Sequence, residues 1–440
     1  MSQYRAYPAY KDSGVEWIGQ VPEHWEVKPI CRVTSVNDDV LPDSTTDDTP
    51  IRYVDISSVG YMEGIKQASD MCFADAPSRA RRKASSGDVI ISTVRTYLKA
   101  VAAVTDEYAD CVFSTGFAVL RARHLDRSFL KWMVLNELLI QAIEAHSEGL
   151  SYPAINASAL VKLKSVIPPP EEQASIAATL DRETARIDAL IEKKTRFIEL
   201  LNEKRQALIT HAVTKGLDPN VKMKDSGIEW IGQVPEHWEV KPFKYILSAP
   251  MSYGANESAE SDDPNHPRYI RITDLTENGT LREDTFKTLP WDKAYSYLLS
   301  DGDILLARSG ATVGKSFLYR ETNGAACFAG YLIKASCDEE KALPKYIYAY
   351  LQSHSYWEYI SGSNIQSTIQ NVSAEKYSSM VLPVPQREEQ ATIVATLDRE
   401  TARIDALISK TEQSITLLKE RRAAFITAAV TGQIDLRGKQ

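Results

Sequence analysis

Residues 11–29 read KDSGVEWIGQVPEHWEVKP, and residues 224–242 read KDSGIEWIGQVPEHWEVKP. Eighteen of the nineteen positions are identical, and the one difference is Val15 against Ile228. Such self-similarity at a fixed separation is typical of a chain built from repeated structural units. Because 440 residues are too many for one ordinary domain, the repeat predicts two similar halves.

A second repeated stretch lies towards the end of each half. Residues 173–191 read QASIAATLDRETARIDALI, and residues 390–408 read QATIVATLDRETARIDALI. Uniform drift after a duplication would spread the differences evenly, but here the framework is nearly unchanged and the regions between are nearly unrelated. We interpret the framework as contacting the same partner twice. The diverged regions between the framework repeats, which we call the middles, would contact two different targets. Recombination or gene conversion of the framework is the alternative, although it does not explain why the middles were not kept alike in the same way.

The diverged middles still share identities that predict a common fold. In first-half and second-half order these are Arg52-Tyr53 and Arg268-Tyr269, Gly87-Asp88-Val89 and Gly302-Asp303-Ile304, and Asn156 with Ser158 and Asn371 with Ser373. Short β-rich runs such as 88–91 alternate with turns, whereas 129–145 and 344–359 have the pattern of amphipathic helices. The sequence therefore predicts mixed α/β (α+β) regions at 30–165 and 243–380.

Two stretches have the composition and spacing of long helices. Residues 171–213 contain neither Pro nor Gly and are rich in strong helix formers. An apolar residue recurs every seven positions at Leu180, Ile187, Leu201 and Leu208 (broken at Lys194), and at Leu397, Ile404, Leu418 and Phe425 (broken at Thr411). We expect Leu190, Phe197 and Ile198 to fill adjoining positions. The pattern predicts that helices 171–213 and 388–430 form an antiparallel coiled coil with an approximate twofold, although two ordinary surface helices are the alternative.

The composition argues against several classes of protein. No run approaches about 18 apolar residues, and the first thirty residues lack the features of a signal peptide, so we expect no membrane span and a cytoplasmic location. The five cysteines form no CxxC pair and the histidines no HExxH motif, so we expect neither a metal site nor a disulfide framework. The net charge of −8 means that local basic patches or a partner must supply phosphate contacts if the chain binds nucleic acid.

Basic, hydroxyl and amide side chains gather in the middles in a manner typical of DNA contacts. Arg and Lys bind phosphates and reach guanine edges, and Asn and Gln pair with adenine. The candidate DNA-binding residues are Arg79, Arg81, Arg82, Lys83, Ser92, Thr93, Arg95, Tyr97, Lys99, Tyr152 and Asn156 in the first half, and Arg308, Ser309, Thr312, Lys315, Ser316, Gln366, Ser367, Thr368, Gln370 and Asn371 in the second. Solvated charged surfaces and polar turns are the alternatives. We expect Arg95 and Arg308 to read guanine, and Lys99 and Lys315 to hold phosphate.

The chain lacks the motifs of the enzymes that it could be confused with. GATVGKS at 310–316 follows an apolar run and resembles a phosphate-binding P-loop, but it has three residues between its glycines where that motif needs four. No Asn-Pro-Pro-aromatic or Asp-Pro-Pro-aromatic run of an amino-methyltransferase is present, and no Ser/His/Asp or Cys/His constellation can be named. We therefore expect no catalytic residue in this chain.

The repeated motifs KDSGVEWIGQVPEHWEV and PPPEEQASIAATLDRETARIDALI closely resemble the framework of the specificity subunit of Type I restriction–modification systems. The resemblance covers essentially the whole chain. It implies two target recognition domains in tandem repeat, at 1–167 and 217–382, and two conserved spacer helices, at 168–216 and 383–440. In an antiparallel arrangement of the helices, the segment of Trp17 and Trp25 would lie near the end of the second helix, as the segment of Trp230 and Trp238 follows the first.

The resemblance also implies a function and partners. Each recognition domain would read one half of a bipartite, asymmetric double-stranded DNA site, while the helices set the spacer and dock two methylation subunits, for which we expect contacts at Arg186 and Arg403. This chain would carry no cofactor, whereas S-adenosylmethionine, ATP and magnesium would belong to the methylation and restriction subunits. The partners would also enclose the DNA and so ease the problem of net charge. A protein-only scaffold is the alternative.

Overall fold

The computed structural model describes residues 5–258, 260–276, 279–363 and 371–437. By its internal contacts the chain divides into two compact units. Unit 1 comprises Met1–Lys194 together with Glu412–Gln440, and unit 2 comprises Thr195–Thr411. Each unit therefore contains one part of each of two long helices.

The elements of unit 1, followed by the first long helix, are β1 (Tyr10–Asp12), β2 (Gln20–Pro22), β3 (Glu26–Pro29), β4 (Thr34–Val36), β5 (Asp39–Val40), β6 (Pro50–Val54), β7 (Val59–Gly60), β8 (Gly64–Ile65), β9 (Ser69–Cys72), β10 (Ala80–Lys83), β11 (Val89–Ser92), β12 (Val101–Ala103), β13 (Val112–Ser114), β14 (Phe117–Ala122), α1 (Arg127–Val134), α2 (Glu137–Ala145), α3 (Ala157–Leu160), β15 (Lys164–Ile167) and α4 (Pro170–Lys215). Those of unit 2, followed by the second long helix, are β16 (Met223–Asp225), β17 (Gln233–Pro235), β18 (Glu239–Pro242), β19 (Ser252–Tyr253), β20 (Arg268–Ile270), α5 (Trp291–Ala294), β21 (Ile304–Ala307), β22 (Ser316–Leu318), β23 (Ala326–Phe328), β24 (Leu332–Ala335), α6 (Pro344–Tyr350), α7 (His354–Ser363), α8 (Ala374–Ser379), β25 (Val381–Val384) and α9 (Arg387–Val430).

Each unit has a four-stranded sheet, and the strand order is the same in both, whereas the five-stranded sheet β5-β10-β13-β6-β9 of unit 1 has only the pair β20-β23 as its counterpart among the described residues of unit 2. Unit 1 has the antiparallel sheet β12-β11-β14-β4, and unit 2 has the antiparallel sheet β22-β21-β24-β19. Each unit also has one parallel pair, β6 with β13 and β20 with β23. In both units a strand of the repeated framework pairs with the strand before the long helix, β3 with β15 and β18 with β25. The prediction that the diverged middles share a mixed α/β fold is confirmed.

The two shorter helical segments differ from the prediction, because each is interrupted. Residues 129–145 fall on α1 and α2, and Asn136 between them starts the second helix by accepting a hydrogen bond from Leu138 N at 3.1 Å. Ser353 holds the equivalent place before α7, where its Oγ accepts from Tyr356 N at 3.3 Å. Short polar side chains cap helix starts in this way, and the apolar periodicity that predicted single helices does not register the interruption.

Six residues of the seven-residue apolar grid on α4 and α9 are buried as predicted, with Leu180 in unit 1 and Leu397 in unit 2 as examples, and the other two, Leu208 and Leu418, are half-buried. At the adjoining positions Ile198 is half-buried, whereas the prediction is wrong for Leu190 and Phe197. Leu190 is 48% exposed and Phe197 is 44% exposed. At about 100° per residue, a residue three positions beyond the grid lies about 60° around the helix, which is enough to reach solvent.

Within unit 1 the helical segments run antiparallel. Glu172, near the start of α4, lies 3.6 Å from Arg437, beyond the end of α9. Further along α4, Asp188 forms an ion pair with Arg422, which precedes Arg437 in the chain. Later residues of α4 thus meet earlier residues of the C-terminal segment.

Unit 2 shows the same antiparallel order. Arg205 Nε lies 3.5 Å from Asp405 Oδ1, at positions equivalent to the ion pair on the helices of unit 1. Gly216, just beyond α4, lies against Glu389 near the start of α9. The antiparallel packing of the two helices, predicted from the shared apolar grid, is therefore confirmed within each unit.

The framework tryptophans lie at the helix ends, as predicted. Gly432 follows α9 with φ +75°, and a Cβ there would lie 2.3 Å from Pro22 and 3.0 Å from Trp25. Gly216 follows α4 with φ +76°, and a Cβ there would lie 3.3 Å from Trp238. Both the left-handed backbone and the close approach favour glycine at these two helix ends.

Candidate nucleic-acid interface

In unit 1, two separate loops that carry predicted DNA-binding residues lie side by side. One is residues 93–99, which follow β11, and the other is residues 147–156, which precede α3. Ile155 N donates a hydrogen bond to the carbonyl of Thr93 at 2.8 Å. We call these two segments the paired loops of unit 1. Their association brings Arg95, Tyr97, Lys99, Tyr152 and Asn156 onto one part of the surface.

The exposed side chains of these paired loops include basic and aromatic groups, apolar residues such as Leu150, and one carboxylate, that of Glu148. The guanidinium of Arg95 lies over the ring of Tyr152, with its Cζ 5.3 Å from the ring centroid. Tyr152 is 67% exposed, and Tyr97 and Leu98 are also exposed. Within the described ranges, the Arg95 guanidinium has no hydrogen-bond or ion-pair partner. A cation held by a ring face keeps its N–H donors available to a ligand.

Unit 2 has corresponding paired loops, residues 308–315 after β21 and residues 371–373 directly before α8. Val372 N donates to the carbonyl of Arg308 at 2.8 Å, and Ser309 forms a β-bridge with Asn371. These backbone contacts bring Arg308 and Asn371 together. Four other candidates, Gln366, Ser367, Thr368 and Gln370, lie outside the described residues.

Arg308 is the most constrained candidate. Its Cζ lies 4.9 Å from the ring centroid of Tyr253, and its backbone N donates to the carbonyl of Tyr331 at 3.1 Å. Its Nε is buried without a hydrogen-bond partner in the part of the chain that the structure describes. Tyr253 is itself fixed, because its hydroxyl accepts from Ala374 N at 3.1 Å. Tyr253 was missed by sequence reasoning, since it is distant in sequence from Arg308 and carries no motif.

The structure corrects one predicted equivalence between the halves. Asn156 directly precedes α3, and Ser373 directly precedes α8, so Asn156 corresponds to Ser373 rather than to Asn371. The segments that precede the two helices differ in length and sequence, and matching identical letters shifted the alignment by two residues.

The two arginines are also not equivalent in register. Thr93 and Arg308 are the residues whose carbonyls accept the hydrogen bond that joins the paired loops, so they correspond to each other. Arg95 therefore lies two residues further into its loop than Arg308 does. The same pairing of arginine with tyrosine is reached from different positions in the two units.

The cluster Arg79 to Lys83 is not a single basic patch. Residues 80–83 form strand β10, in which successive side chains point to opposite faces. Burial lowers the pKa of the Arg82 guanidinium. The other three side chains contact groups of the protein: Arg79 Nη2 to Asp55 Oδ2 at 2.6 Å, Arg81 Nη1 to Asp43 Oδ1 at 3.9 Å, and Lys83 Nζ to the Asp110 carbonyl at 3.0 Å.

The candidate hydroxyl groups near the strands mostly bond within the protein. Ser92, Thr93 and Ser316 are buried. Their contacts are Ser92 Oγ to the Val94 carbonyl, Thr93 Oγ1 to the Gly116 carbonyl at 2.9 Å, and Ser316 Oγ from Gln352 Nε2 at 2.8 Å, while Thr312 Oγ1 lies 3.5 Å from the Ser309 carbonyl. These hydroxyls hold the loops in place. Lys99 Nζ is 3.9 Å from Glu144, and Lys315 has no ion-pair partner among residues 5–258, 260–276, 279–363 and 371–437.

The segment that resembles a P-loop has a different structure. Residues 310–312 form a short 3-10 turn, and β22 follows and pairs antiparallel with β21. A phosphate-binding P-loop requires a helix N-terminus after the glycine-rich turn. This segment is instead the connection of a β-hairpin, in agreement with its rejection from the glycine spacing.

The long helices carry a second repeated surface, which we call the lateral stripe. On α4 in unit 1 and on α9 in unit 2, an exposed leucine lies between two exposed basic residues. The members are Arg186, Leu190 and Lys193 in unit 1, and Arg403, Leu407 and Lys410 in unit 2. Leu407 is 40% exposed. A single exposed leucine is ordinary on a protein surface, so the distinguishing feature of the lateral stripe is that the same three residue types recur at equivalent positions of both helices.

Within the described ranges, the cysteines and acidic residues form no metal site. No group of three His, Cys, Asp or Glu residues suited to a metal ion occurs among the described residues. The five cysteines are free, and burial raises the pKa of the Cys111 thiol to about 11 and that of Cys327 to about 12. In the same described ranges, no helix has both the length and the apolar character needed to span a membrane.

Comparison with protein families finds a match over residues 235–417 to the model described as Type I restriction modification DNA specificity domain. Among curated proteins, the chain is 26% identical over 209 residues to the Type I restriction enzyme StySPI specificity subunit of Salmonella potsdam. That alignment spans 46% of this chain and 44% of the relative, so the chain matches less than half the length of that protein. It is 25% identical, over 96% of both chains, to the putative type I restriction enzyme MjaX specificity subunit of Methanocaldococcus jannaschii.

Two solved structures share the fold. A chain from a type I R-M system, studied for complex assembly and conformational transition, superposes with a TM-score of 0.73 at 21% identity, covering 96% of this chain and 99% of that one. The HsdS subunit from Thermoanaerobacter tengcongensis superposes with a TM-score of 0.52 at 22% identity, covering 94% and 98%. At these identities the likeness concerns the fold alone.

Proposed function

The chain belongs to the family of specificity subunits of Type I restriction–modification systems, a non-catalytic family, and on that premise we propose that it reads a bipartite, asymmetric double-stranded DNA site. Each of two target recognition domains, 1–167 and 217–382, contacts one half of the site. The spacer helices at 168–216 and 383–440 set the distance between the halves. The observation that carries the proposal is that the paired loops of each unit present an arginine stacked on a tyrosine.

The side chains of the paired loops divide into two roles. Arg95 and Arg308 have guanidinium groups held by a ring, and a planar fork of donors fits the O6 and N7 acceptors of guanine. Lys99 and Lys315 lie at the far ends of the same two loops, where a flexible ammonium neutralises phosphate without reading the base. Asn156 and Asn371 remain candidates for contacts with adenine.

We assign the lateral stripe to partner docking. Its repetition in both halves fits two copies of one methylation subunit, with Arg186 and Arg403 at the edge of the contact. The methylation subunits would supply S-adenosylmethionine, and restriction subunits in the full complex would supply ATP and magnesium chemistry. These partners would bring the phosphate contacts that an acidic chain lacks, and the complex would act in the cytoplasm.

Arg308→Ala and Lys315→Ala are expected to give different results in the same assay. Loss of the guanine contact should relax one position of one half-site by roughly 5- to 150-fold, because a bidentate base contact is worth about 1–3 kcal/mol. Loss of a phosphate contact should weaken modification of all sequences alike. The measurement is sequencing of modified adenines in a random-sequence library from cells that co-express the chain with its methylation subunit.

Two outcomes would contradict these assignments. If the wild-type chain directs modification to no bipartite sequence, the proposed function fails and a protein scaffold becomes the better explanation. If Arg308→Ala lowers modification uniformly and leaves the recognised sequence intact, only the guanine-reading role is wrong.

Lengthening both long helices by one heptad should widen the spacer. Duplicating residues 194–200 together with 411–417 keeps the apolar grid in phase and adds about 10 Å of helix. At about 3.4 Å per base pair, the unspecified spacer should grow by up to about three base pairs while the half-sites stay the same. The same modified-adenine sequencing measures both quantities, and an unchanged spacer would refute the role of the helices as a ruler.

A further inference from the structure

The two stacked arginines are held by tyrosines from unrelated segments. Tyr253 lies on β19, more than fifty residues before Arg308, whereas Tyr152 lies in the second of the paired loops of unit 1. Since the arginines themselves are two residues out of register, no shared ancestral contact explains the similarity. The two units therefore form the same arrangement, a guanidinium lying on a ring, from residues at different positions.

In unit 2 both partners of the contact, Arg308 and Tyr253, are held by hydrogen bonds. The backbone of Arg308 is bound through its N–H to Tyr331 and through its carbonyl to Val372. The hydroxyl of Tyr253 accepts from Ala374 N, and its ring is 43% exposed. Because the Arg308 backbone and the Tyr253 ring are both anchored, the orientation of the guanidinium plane is restricted before DNA binds.

The ring in unit 1 is less restrained. Arg95 lies in the left-handed region with φ 52°, and Tyr152 forms no side-chain hydrogen bond to the described residues. The loops beneath are joined by a hydrogen bond from Thr96 Oγ1 to Ser147 Oγ at 2.9 Å. The arginine of unit 1 is thus positioned by its ring alone, on a more exposed surface.

We propose that Tyr253 and Tyr152 are positioning residues that determine base specificity, because they fix the guanidinium planes of Arg308 and Arg95 for bidentate contact with guanine. This inference rests on the proposed function. Bidentate recognition depends on a planar fork held in one orientation. A mobile arginine would lose conformational entropy on binding a base, which would weaken the contact. Tyr253 is expected to matter more than Tyr152 because both partners in unit 2 are anchored.

The test compares Tyr253→Leu and Tyr253→Phe in the full chain, co-expressed with its methylation subunit and read by modified-adenine sequencing of a random library. Tyr253→Leu removes the ring face and should reduce the preference at one position of one half-site by at least about fivefold. Tyr253→Phe keeps the ring face but loses the hydroxyl that anchors it to Ala374 N, so it should lower the preference less than Tyr253→Leu does. Arg308→Lys keeps the charge but loses the fork, and should reproduce the loss at the same position.

Tyr331→Leu is the matched control, because Tyr331 is an exposed neighbour whose backbone carbonyl accepts from Arg308 N, a hydrogen bond that the substitution leaves in place. It should leave the preference unchanged. The inference is overturned if Tyr253→Leu keeps the preference, weakens all sequences alike, or has the same effect as Tyr331→Leu. Misfolding of unit 2 would erase the whole half-site rather than one position, and this too counts against a positioning role. A wild-type chain without any preferred sequence would instead refute the proposed function.

Discussion

Leu190→Asp combined with Leu407→Asp is expected to abolish binding of both methylation subunits while the free chain keeps its fold. Both leucines are substantially exposed and lie at equivalent positions on the two long helices. An aspartate at the centre of an apolar contact would have to lose its hydration without gaining a partner. If each leucine is a central contact worth about 2–4 kcal/mol, affinity should fall by at least about 30-fold at each site.

Native mass spectrometry of the co-expressed complex gives the number of bound subunits directly. Each single variant should lose one copy, and the double variant should lose both. Glu192→Ala with Ser409→Ala is the matched control, since these exposed residues also occupy equivalent positions but face away from the stripe. The more peripheral Arg186→Glu with Arg403→Glu should have a smaller effect, mainly on the rate of association. Two subunits bound to the double leucine variant would exclude this surface.

The sequence predicted the framework well because its signals are periodic and repeated. The apolar grid predicted which residues of α4 and α9 pack together in their seam, and the repeat predicted that both helices occupy equivalent places in the two halves. Periodicity alone could not say on which side of the seam the helix meets solvent, so Leu190 and Phe197 were misplaced. Periodicity also missed the break at Asn136, where a side-chain hydrogen bond caps the start of a new helix although the apolar pattern continues.

The candidate site was harder to predict because the availability of a basic group depends on distant residues. Arg79 is bound by Asp55, which lies 24 residues earlier in the sequence, and its hydrogen bonds to Tyr53 and Asp55 raise the pKa of its guanidinium. Lys83 is bound by the carbonyl of Asp110. The pairing of β10 with β13 and of β6 with β13 brings these groups together, and no local pattern encodes that pairing.

Glu172→Ala is expected to destabilise unit 1 far more than Glu389→Ala destabilises unit 2, although the two glutamates occupy equivalent positions. The buried Glu172 carboxylate accepts from Tyr7 Oη at 3.0 Å and from Trp25 Nε1 at 3.0 Å, and it lies 2.6 Å from His24 Nε2. Burial and the neighbouring carboxylate raise the pKa of the Tyr7 hydroxyl, which therefore remains a donor at neutral pH.

Removing Glu172 would leave two buried donors without partners, at a cost of about 1–3 kcal/mol each, so the free energy of unfolding should fall by about 2–6 kcal/mol. Glu389 contacts only His237 among the described side chains, at 2.8 Å and partly in solvent, and its loss should cost about 0–1 kcal/mol. Trp238 Nε1 is already buried without a partner in the described structure, so Glu389→Ala takes nothing from it. Hydrogen exchange of peptides 20–29 and 233–242 reports on each unit separately. Peptide 20–29 should lose protection strongly in Glu172→Ala, and peptide 233–242 should lose it only slightly in Glu389→Ala. Equal losses would show that the buried network around Glu172 contributes no additional stability.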